Sequence, residues 1–336
     1  MRILVTGCGG YLGSEIVRQL LQRGDQVLGV SRREYPELVQ AGMSHRRGDL
    51  ADDHFTAQAI NDVDAVIHTA AVAGVWGSWE HFYRINTLAT ENVIRACQSA
   101  NIRSLVFTSS PSVTFDGQHQ SHVDETVPYA TRWLCHYPHT KALAEQAVLN
   151  AHQPGGLRTV ALRPHLIWGE DDPHILPRLI ERARRGRLRI VGSGDNLVDT
   201  VHVTNAAAAH LDAVDVLASD TARATEAGGR AYFIAQDEPV RCWDWIGQIC
   251  ELGGARSPAK RISFRAAYAI GAALEAVYRA TGRKSEPPMT RFVAAQMAHD
   301  HYFDISSARE RLGYHVRVTM ADGLETLARR WSARDA

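Results

Sequence analysis

Residues 2–6 (Arg-Ile-Leu-Val-Thr) form a short apolar run bounded by glycine, the pattern of a strand buried on both faces. Ile16, Val17, Leu20 and Leu21 then recur at helical spacing, and Gly24 closes that helix. A second apolar run follows at 26–30. Strand, glycine turn, helix and strand within about 30 residues make a βαβ crossover. The alternation continues, predicting strands near 44–48, 64–68, 103–109 and 157–162 and helices near 52–60, 80–100, 137–151 and 174–185. Strands alternating with helices of this length build a doubly wound parallel α/β sheet covered on both faces.

From about residue 165 the pattern loosens. Short strands are expected near 188–191, 199–203 and 230–234, with helices near 204–218, 243–253, 262–281 and 321–333. The chain therefore divides into a sheet domain at 1–165, to which later segments return, and a small α/β cap formed mainly by 166–336. Asn205 is expected to cap the alanine-rich helix behind it. Residues 262–281 mix apolar and basic positions, and suit cap packing, a cover over an apolar pocket, a partner interface or a membrane surface.

The 336 residues carry 37 basic and 37 acidic side chains, so the net charge is zero and the basic footprint of a nucleic-acid binder is lacking. Apolar runs fall short of the roughly 18 residues of a membrane span. The N-terminus enters a strand without a signal-peptide pattern. Cys8, Cys97, Cys135, Cys242 and Cys250 contain no C-x-x-C pair and read as reduced thiols of a cytoplasmic protein. The sixteen histidines show no ligand spacing, and Glu170-Asp171-Asp172-Pro173-His174 reads as a solvated loop, so no metal is expected.

Thr6-Gly7-Cys8-Gly9-Gly10-Tyr11-Leu12-Gly13 follows the first strand and opens the first helix. Gly7 permits a tight turn, Gly10 lets the backbone approach a pyrophosphate, and Gly13 packs helix on sheet, the fingerprint of a Rossmann dinucleotide site. An NAD-binding sheet usually ends its second strand with a carboxylate for the ribose hydroxyls. Here Ser31-Arg32-Arg33 stands there instead, and guanidinium forks suit the 2′-phosphate of NADP. NADP is therefore the expected cofactor, with NAD less favoured and ordinary surface arginines the alternative. Asp49 and Leu50 end the third strand, where the carboxylate suits either the adenine amino group or the cap of the next helix. Thr69 and Ala70 follow the fourth strand and leave room for a ligand, while His68 reads as a satisfied core histidine.

Tyr137-Pro138-His139-Thr140-Lys141 puts a phenol and an amine at i and i+4 on one helix face. Ser109-Ser110 ends the fifth strand, at the carboxyl edge where such sheets bind ligands. An ammonium beside a phenol lowers its pKa toward working pH, and Ser110 can hold a reacting oxygen.

These motifs, with Thr108-Ser109-Ser110-Pro111-Ser112-Val113 and Leu162-Arg163-Pro164-His165-Leu166-Ile167-Trp168-Gly169, resemble the extended short-chain dehydrogenase/reductases, in particular their 3β-hydroxysteroid dehydrogenase branch, across nearly the whole chain. The resemblance implies Tyr137 as acid/base, Lys141 as its partner and ribose ligand, Ser110 as carbonyl binder, and Pro164 and His165 beside the nicotinamide. It also implies a homodimer and a structural role for Asn86. Tyr35-Pro36-Glu37-Leu38, Ala73-Gly74-Val75-Trp76-Gly77-Ser78 and Pro287-Pro288-Met289-Thr290-Arg291-Phe292 are similar to bacterial 2-alkyl-3-oxoalkanoate reductases of long-chain olefin biosynthesis. Asp172-Pro173-His174-Ile175-Leu176-Pro177-Arg178-Leu179 is similar to sterol-4α-carboxylate 3-dehydrogenases.

Both activities imply a substrate with a carboxylate β to the reacting oxygen and a long-chain or sterol-like body. Val75 and Trp76 are the candidates to line its hydrocarbon side, with ordinary packing the alternative for Trp76. His165, Arg163 and a cap residue are the candidates for its carboxylate. Nucleotide-sugar epimerase or dehydratase chemistry and a non-catalytic NADP sensor are further readings of the same scaffold. Contacts with a pathway enzyme or a peripheral membrane surface complete the expectations.

Overall fold

The structure, a computed structural model, describes residues 1–336 apart from Asp220, Asp237 and Ala336, and leaves the side chains of 333–335 undescribed. Seven parallel strands form the central sheet: β1 (Arg2–Thr6), β2 (Gln26–Ser31), β3 (Ser44–Arg47), β4 (Ala65–His68), β5 (Ser104–Thr108), β6 (Arg158–Pro164) and β7 (Arg230–Ile234). Their spatial order is β7-β6-β5-β4-β1-β2-β3, so the chain reverses direction between β1 and β4. That switch point opens a crevice at the carboxyl edge.

Pleat alternation explains the buried runs. Ile3 and Val5 of β1 and Ile67 of β4 face one layer, where α1 (Tyr11–Arg23) contributes Ile16, Val17 and Leu20. Leu4, Val66, Leu105 and Phe107 face the other, against Val93 and Cys97 of α2 (Ala89–Ser99) and Ala144 and Val148 of α3 (His136–Asn150). The cap holds α4 (Ile175–Arg184), α6 (Phe264–Ala280) and α7 (Arg291–Gln296), while the intervening α5 (Val203–Ala218) belongs to the sheet. A third apolar cluster, with Trp168, Trp243, Trp245, Ile246 and Leu327, fills the cap.

The late pattern hides one return. The strand at 230–234 is β7, the sheet's seventh strand, and α5 lies across its neighbours β6 and β5. The helix near 80–100 is not uniform either. Tyr83–Leu88 is wound as a π-helix, a local form that clusters at functional sites. It carries Asn86, which is fully buried, accepts from Val72 N (2.8 Å) and donates to Val72 O (3.1 Å) and to Thr140 Oγ1 (3.1 Å). The loop after β4 is thereby fastened to the helix of Tyr137. Among the described residues no helix is long and apolar enough to cross a membrane.

Asn205 does not cap α5; His202 does, accepting from Thr204 N at 3.3 Å. Asn205 sits inside the first turn, where its Oδ1 accepts from Arg317 N and Val318 N, both at 2.9 Å, and its Nδ2 donates to Val318 O at 2.7 Å. Its amide therefore satisfies the backbone of residues 317 and 318. Asn205→Ala strands those buried groups, and we expect about 3 kcal/mol of lost stability in urea unfolding with the slope unchanged.

Candidate active site

The cleft at the switch point encloses about 1170 Å³ and runs from the end of β2 to the cap. Its floor is the glycine loop. Gly7 has φ +65°, and a Cβ there would stand 2.8 Å from the backbone of Ala70. A Cβ on Gly13 would stand 2.2 Å from the Gly7 carbonyl oxygen, so the turn closes only without side chains. Thr69 Oγ1 donates to Thr6 O (2.7 Å), and Ala70 N donates to Thr6 Oγ1 (3.2 Å), which brings the loops after β1 and β4 together. The first turn of α1 has no side-chain cap and no acidic residue. Its amides and dipole thus point a positive, unneutralised end into the cleft beside Gly10, Tyr11 and Leu12, as a diphosphate requires. His68 is a satisfied core group, with Nδ1 2.6 Å from Thr6 Oγ1 and Nε2 2.9 Å from Thr90 Oγ1.

At the far end Ser31, Arg32 and Arg33 line the cleft together with Arg47. Ser31 has a different role from the one its position suggests. Its hydroxyl donates to Arg33 O (2.7 Å), so its oxygen is left to accept from His45 Nε2 (2.7 Å), and no proton is spare for a phosphate. Ser31 shapes the turn that carries the two exposed guanidiniums. Arg47, across the β2–β3 ladder from Ser31, donates Nε to Arg32 O (3.2 Å) and supplies a third. The sequence signal for Arg47 was register between neighbouring strands, which a motif search along one strand passes over. Asp49 lines the cleft beside Leu50, but its Oδ2 is held by Arg84 (2.7 Å) and its Oδ1 accepts from Ala51 N (3.0 Å). The cap of the following helix is Asp52.

Ser110, Tyr137 and Lys141 meet at the carboxyl edge of β5 and all line the cleft. Ser110 caps the 3₁₀ turn Pro111–Thr114, its Oγ 2.8 Å from Ser112 Oγ. Lys141, 2% exposed, donates Nζ to Thr108 O at 2.6 Å and lies 4.0 Å above the Phe107 ring. The electrostatics reverse the expected picture. Burial drives the Lys141 ammonium down to about 7, against the Glu145 carboxylate one turn on, which favours its charge. Burial likewise pushes the Tyr137 phenol up to about 12, opposed by its bond to the Ser110 hydroxyl. The phenol therefore keeps its proton at neutral pH, and the ammonium is directed at a backbone carbonyl.

Two further expectations change. Arg163 is spent inside the protein, with Nε and Nη2 on Glu145 at 3.1 and 2.5 Å, and Tyr129 Oη donates to the same carboxylate at 2.8 Å. It therefore has no reach to a substrate. Trp76 packs outside the cleft on α6, donating to Arg283 O (3.1 Å) with its ring edge-on to Tyr278, and Val75 alone of that pair lines the cavity. Pro164 and His165 line it at the end of β6. His174, Phe292 and Gln296 join them from the cap, on segments whose spacing gave no chemical signal. The acidic run disperses: Glu170 faces His202 (3.3 Å), Asp171 pairs with Arg330, and Asp172 accepts from the amides of His174, Ile175 and Leu176.

A glycine-closed crevice with a serine, tyrosine and lysine at its edge defines an oxidoreductase of the extended short-chain dehydrogenase/reductase class. The model of the 3-beta hydroxysteroid dehydrogenase/isomerase family matches residues 4–265, and the chain belongs to that family. It is 46% identical over 330 residues to the 2-alkyl-3-oxoalkanoate reductase of Stenotrophomonas maltophilia, covering 97% of this chain and 98% of that one. To the enzyme of that name from Shewanella oneidensis it is 43% identical, covering 96% and 84%. The sterol-4-alpha-carboxylate 3-dehydrogenase, decarboxylating, of Mus musculus is 33% identical over 96% of this chain and 88% of its own. Among solved structures, MoeE5 in complex with UDP-glucose and NAD superposes with a TM-score of 0.74 at 26% identity, covering 100% and 99% of the two chains.

Gly13→Ala drives a methyl into the Gly7 carbonyl and must displace α1 from the loop. We expect at least tenfold weaker binding of a nicotinamide dinucleotide by fluorescence titration, with the far-ultraviolet circular dichroism unchanged.

Proposed function

We propose that this chain is an NADP-dependent reductase that converts a 2-alkyl-3-oxoalkanoate, a long-chain β-keto acid, to its 3-hydroxy acid, as a cytoplasmic homodimer serving long-chain olefin biosynthesis. The observation that carries the reading is the meeting of Ser110, Tyr137 and Lys141 in one cleft with three guanidiniums at its opposite end. The similarity, 46% and 43% identity over nearly the whole chain, to two reductases of that name supports the substrate. In this reading the glycine loop and the open end of α1 hold the diphosphate, while Arg32, Arg33 and Arg47 hold the 2′-phosphate on the turn that Ser31 shapes. Asp49 and Leu50 flank the adenine, Thr69 and Ala70 leave space for the cofactor, Tyr137 and Lys141 meet the ribose, and Pro164 and His165 flank the nicotinamide.

The chemistry a nicotinamide supplies there is hydride transfer to C3. Ser110 donates to the C3 oxygen and fixes it; Tyr137 gives that oxygen its proton. The phenol, protonated at neutral pH, is the donor that ketone reduction needs. Lys141 gives the ribose a charged donor only while it holds its proton. Oxidation of a sterol-4α-carboxylate or 3β-hydroxysteroid is the second reading, favoured by the likeness to the Mus musculus enzyme, and nucleotide-sugar chemistry the third.

Cofactor oxidation with a long-chain 2-alkyl-3-keto acid, a 3-ketosteroid and a UDP-sugar tests the proposal. We expect NADPH consumption with the keto acid, at least tenfold slower with NADH, and at least a hundredfold lower turnover in Tyr137→Phe with NADPH binding retained. Turnover of the steroid or UDP-sugar in its place contradicts the reading. The pH dependence has a definite sign. Lys141 holds its proton below about 7, so kcat/KM for reduction is level in acid and falls above about 7, approaching tenfold per pH unit. Stopped-flow or steady-state profiles in both directions measure it.

A further inference from the structure

A chain of hydrogen bonds runs from the end of β6 into the cap. His165 Nε2 lies 2.6 Å from His301 Nδ1, and His301 Nε2 lies 2.7 Å from the carbonyl oxygen of Gln296. A carbonyl only accepts, so His301 Nε2 carries hydrogen. Both rings are buried, with His165 held well below the ordinary imidazole range and His301 down to about 4, so both are neutral at pH 7. The Nδ1 of a neutral His301 is then bare and must accept from His165 Nε2. His165 is left with a bare Nδ1, which bonds no described residue, on a ring that lines the cleft. A lone pair there repels a carboxylate.

The other end of the chain offers the complementary group. The Gln296 side-chain amide bonds no described residue and lines the same cleft. Its backbone is fixed from two sides, through its carbonyl to His301 and through α7, whose first residue Arg291 gives three donors to the buried Glu275 at 2.8, 3.0 and 2.8 Å. Arg163 is already excluded by its ion pair with Glu145.

We propose that Gln296 receives the substrate carboxylate through its amide N–H groups, while the acceptor face of His165 turns that carboxylate away from β6 and so orients the β-keto acid with its C3 oxygen toward Ser110 and Tyr137. This rests on the β-keto acid reading above. Gln296 is then the residue that separates acids from neutral ketones, and His301 is a positioning residue that sets the His165 tautomer.

The test compares kcat/KM for a 2-alkyl-3-keto acid and its methyl ester, with NADPH, in the wild-type protein, Gln296→Leu, Gln296→Glu and His174→Ala. The expected result is at least a tenfold preference of the wild type for the acid, lost in Gln296→Leu through KM for the acid alone. Gln296→Glu reverses the preference, and His174→Ala leaves it intact. In histidine-labelled wild-type protein, ¹⁵N spectra should show the His165 ring neutral with its proton on Nε2. An acid-to-ester ratio unchanged in both Gln296 variants, loss of preference in His174→Ala alone, or a protonated Nδ1 on His165 overturns the inference while leaving the proposed activity standing. Turnover of neither acid nor ester by the wild type removes the activity and the inference together.

Discussion

The site depends on one buried hydrogen bond. Lys141 reaches from the second turn of α3 to the last carbonyl of β5, an amine taken out of water and given a backbone oxygen and the face of Phe107 in exchange. That contact ties α3 to the end of β5, the edge at which Tyr137 stands beside Ser110. It also sets the electrostatics, since a cation with so few partners is poised near neutrality rather than charged at all working pH. Glu145, which could have secured the charge, is shared with Arg163 and Tyr129.

Around that contact the architecture supplies position and little else. Three glycines let β1, α1 and the loop after β4 approach within backbone contact, which leaves the end of α1 open for a diphosphate. The π-turn at Tyr83–Leu88 rotates Asn86 inward to tie the loop after β4 to Thr140, one residue before the lysine. Cofactor floor and catalytic helix are thus one connected framework. The cap contributes through α7 and through His301, whose strand, His301–Phe303, pairs with Gln120–Val123.

Much of this was legible in the sequence because period and spacing encode it. The parallel sheet follows from apolar runs alternating with helical patterns, and the glycine spacing, Ser110, Tyr137 and Lys141 were each named from position alone. What was not legible depends on partners distant in the chain. Polar Gln-Ser-His-Val at 120–123 carries no strand signal, because its pairing with 301–303 is what makes it a strand. Asn205 has the look of a cap and instead bonds residues 317 and 318. Trp76 follows a cleft-lining valine, yet its ring packs edge-on against Tyr278 of α6. The charge states of Tyr137 and Lys141 follow burial, which a motif does not contain. Ser31 shows the same limit at the far end of the cleft: the direction of its hydroxyl proton depends on Arg33 and His45.

The ionisation of Lys141 in the free protein is the most direct measure of its buried contact. The chain has only three lysines, Lys141, Lys260 and Lys284, so a ¹³C-lysine-labelled sample should give three resolvable side-chain signals across a pH titration. One signal, absent in Lys141→Arg, should titrate near pH 7 if burial sets its charge. A Lys141 signal that holds its proton up to about pH 10, in the ordinary lysine range, contradicts it.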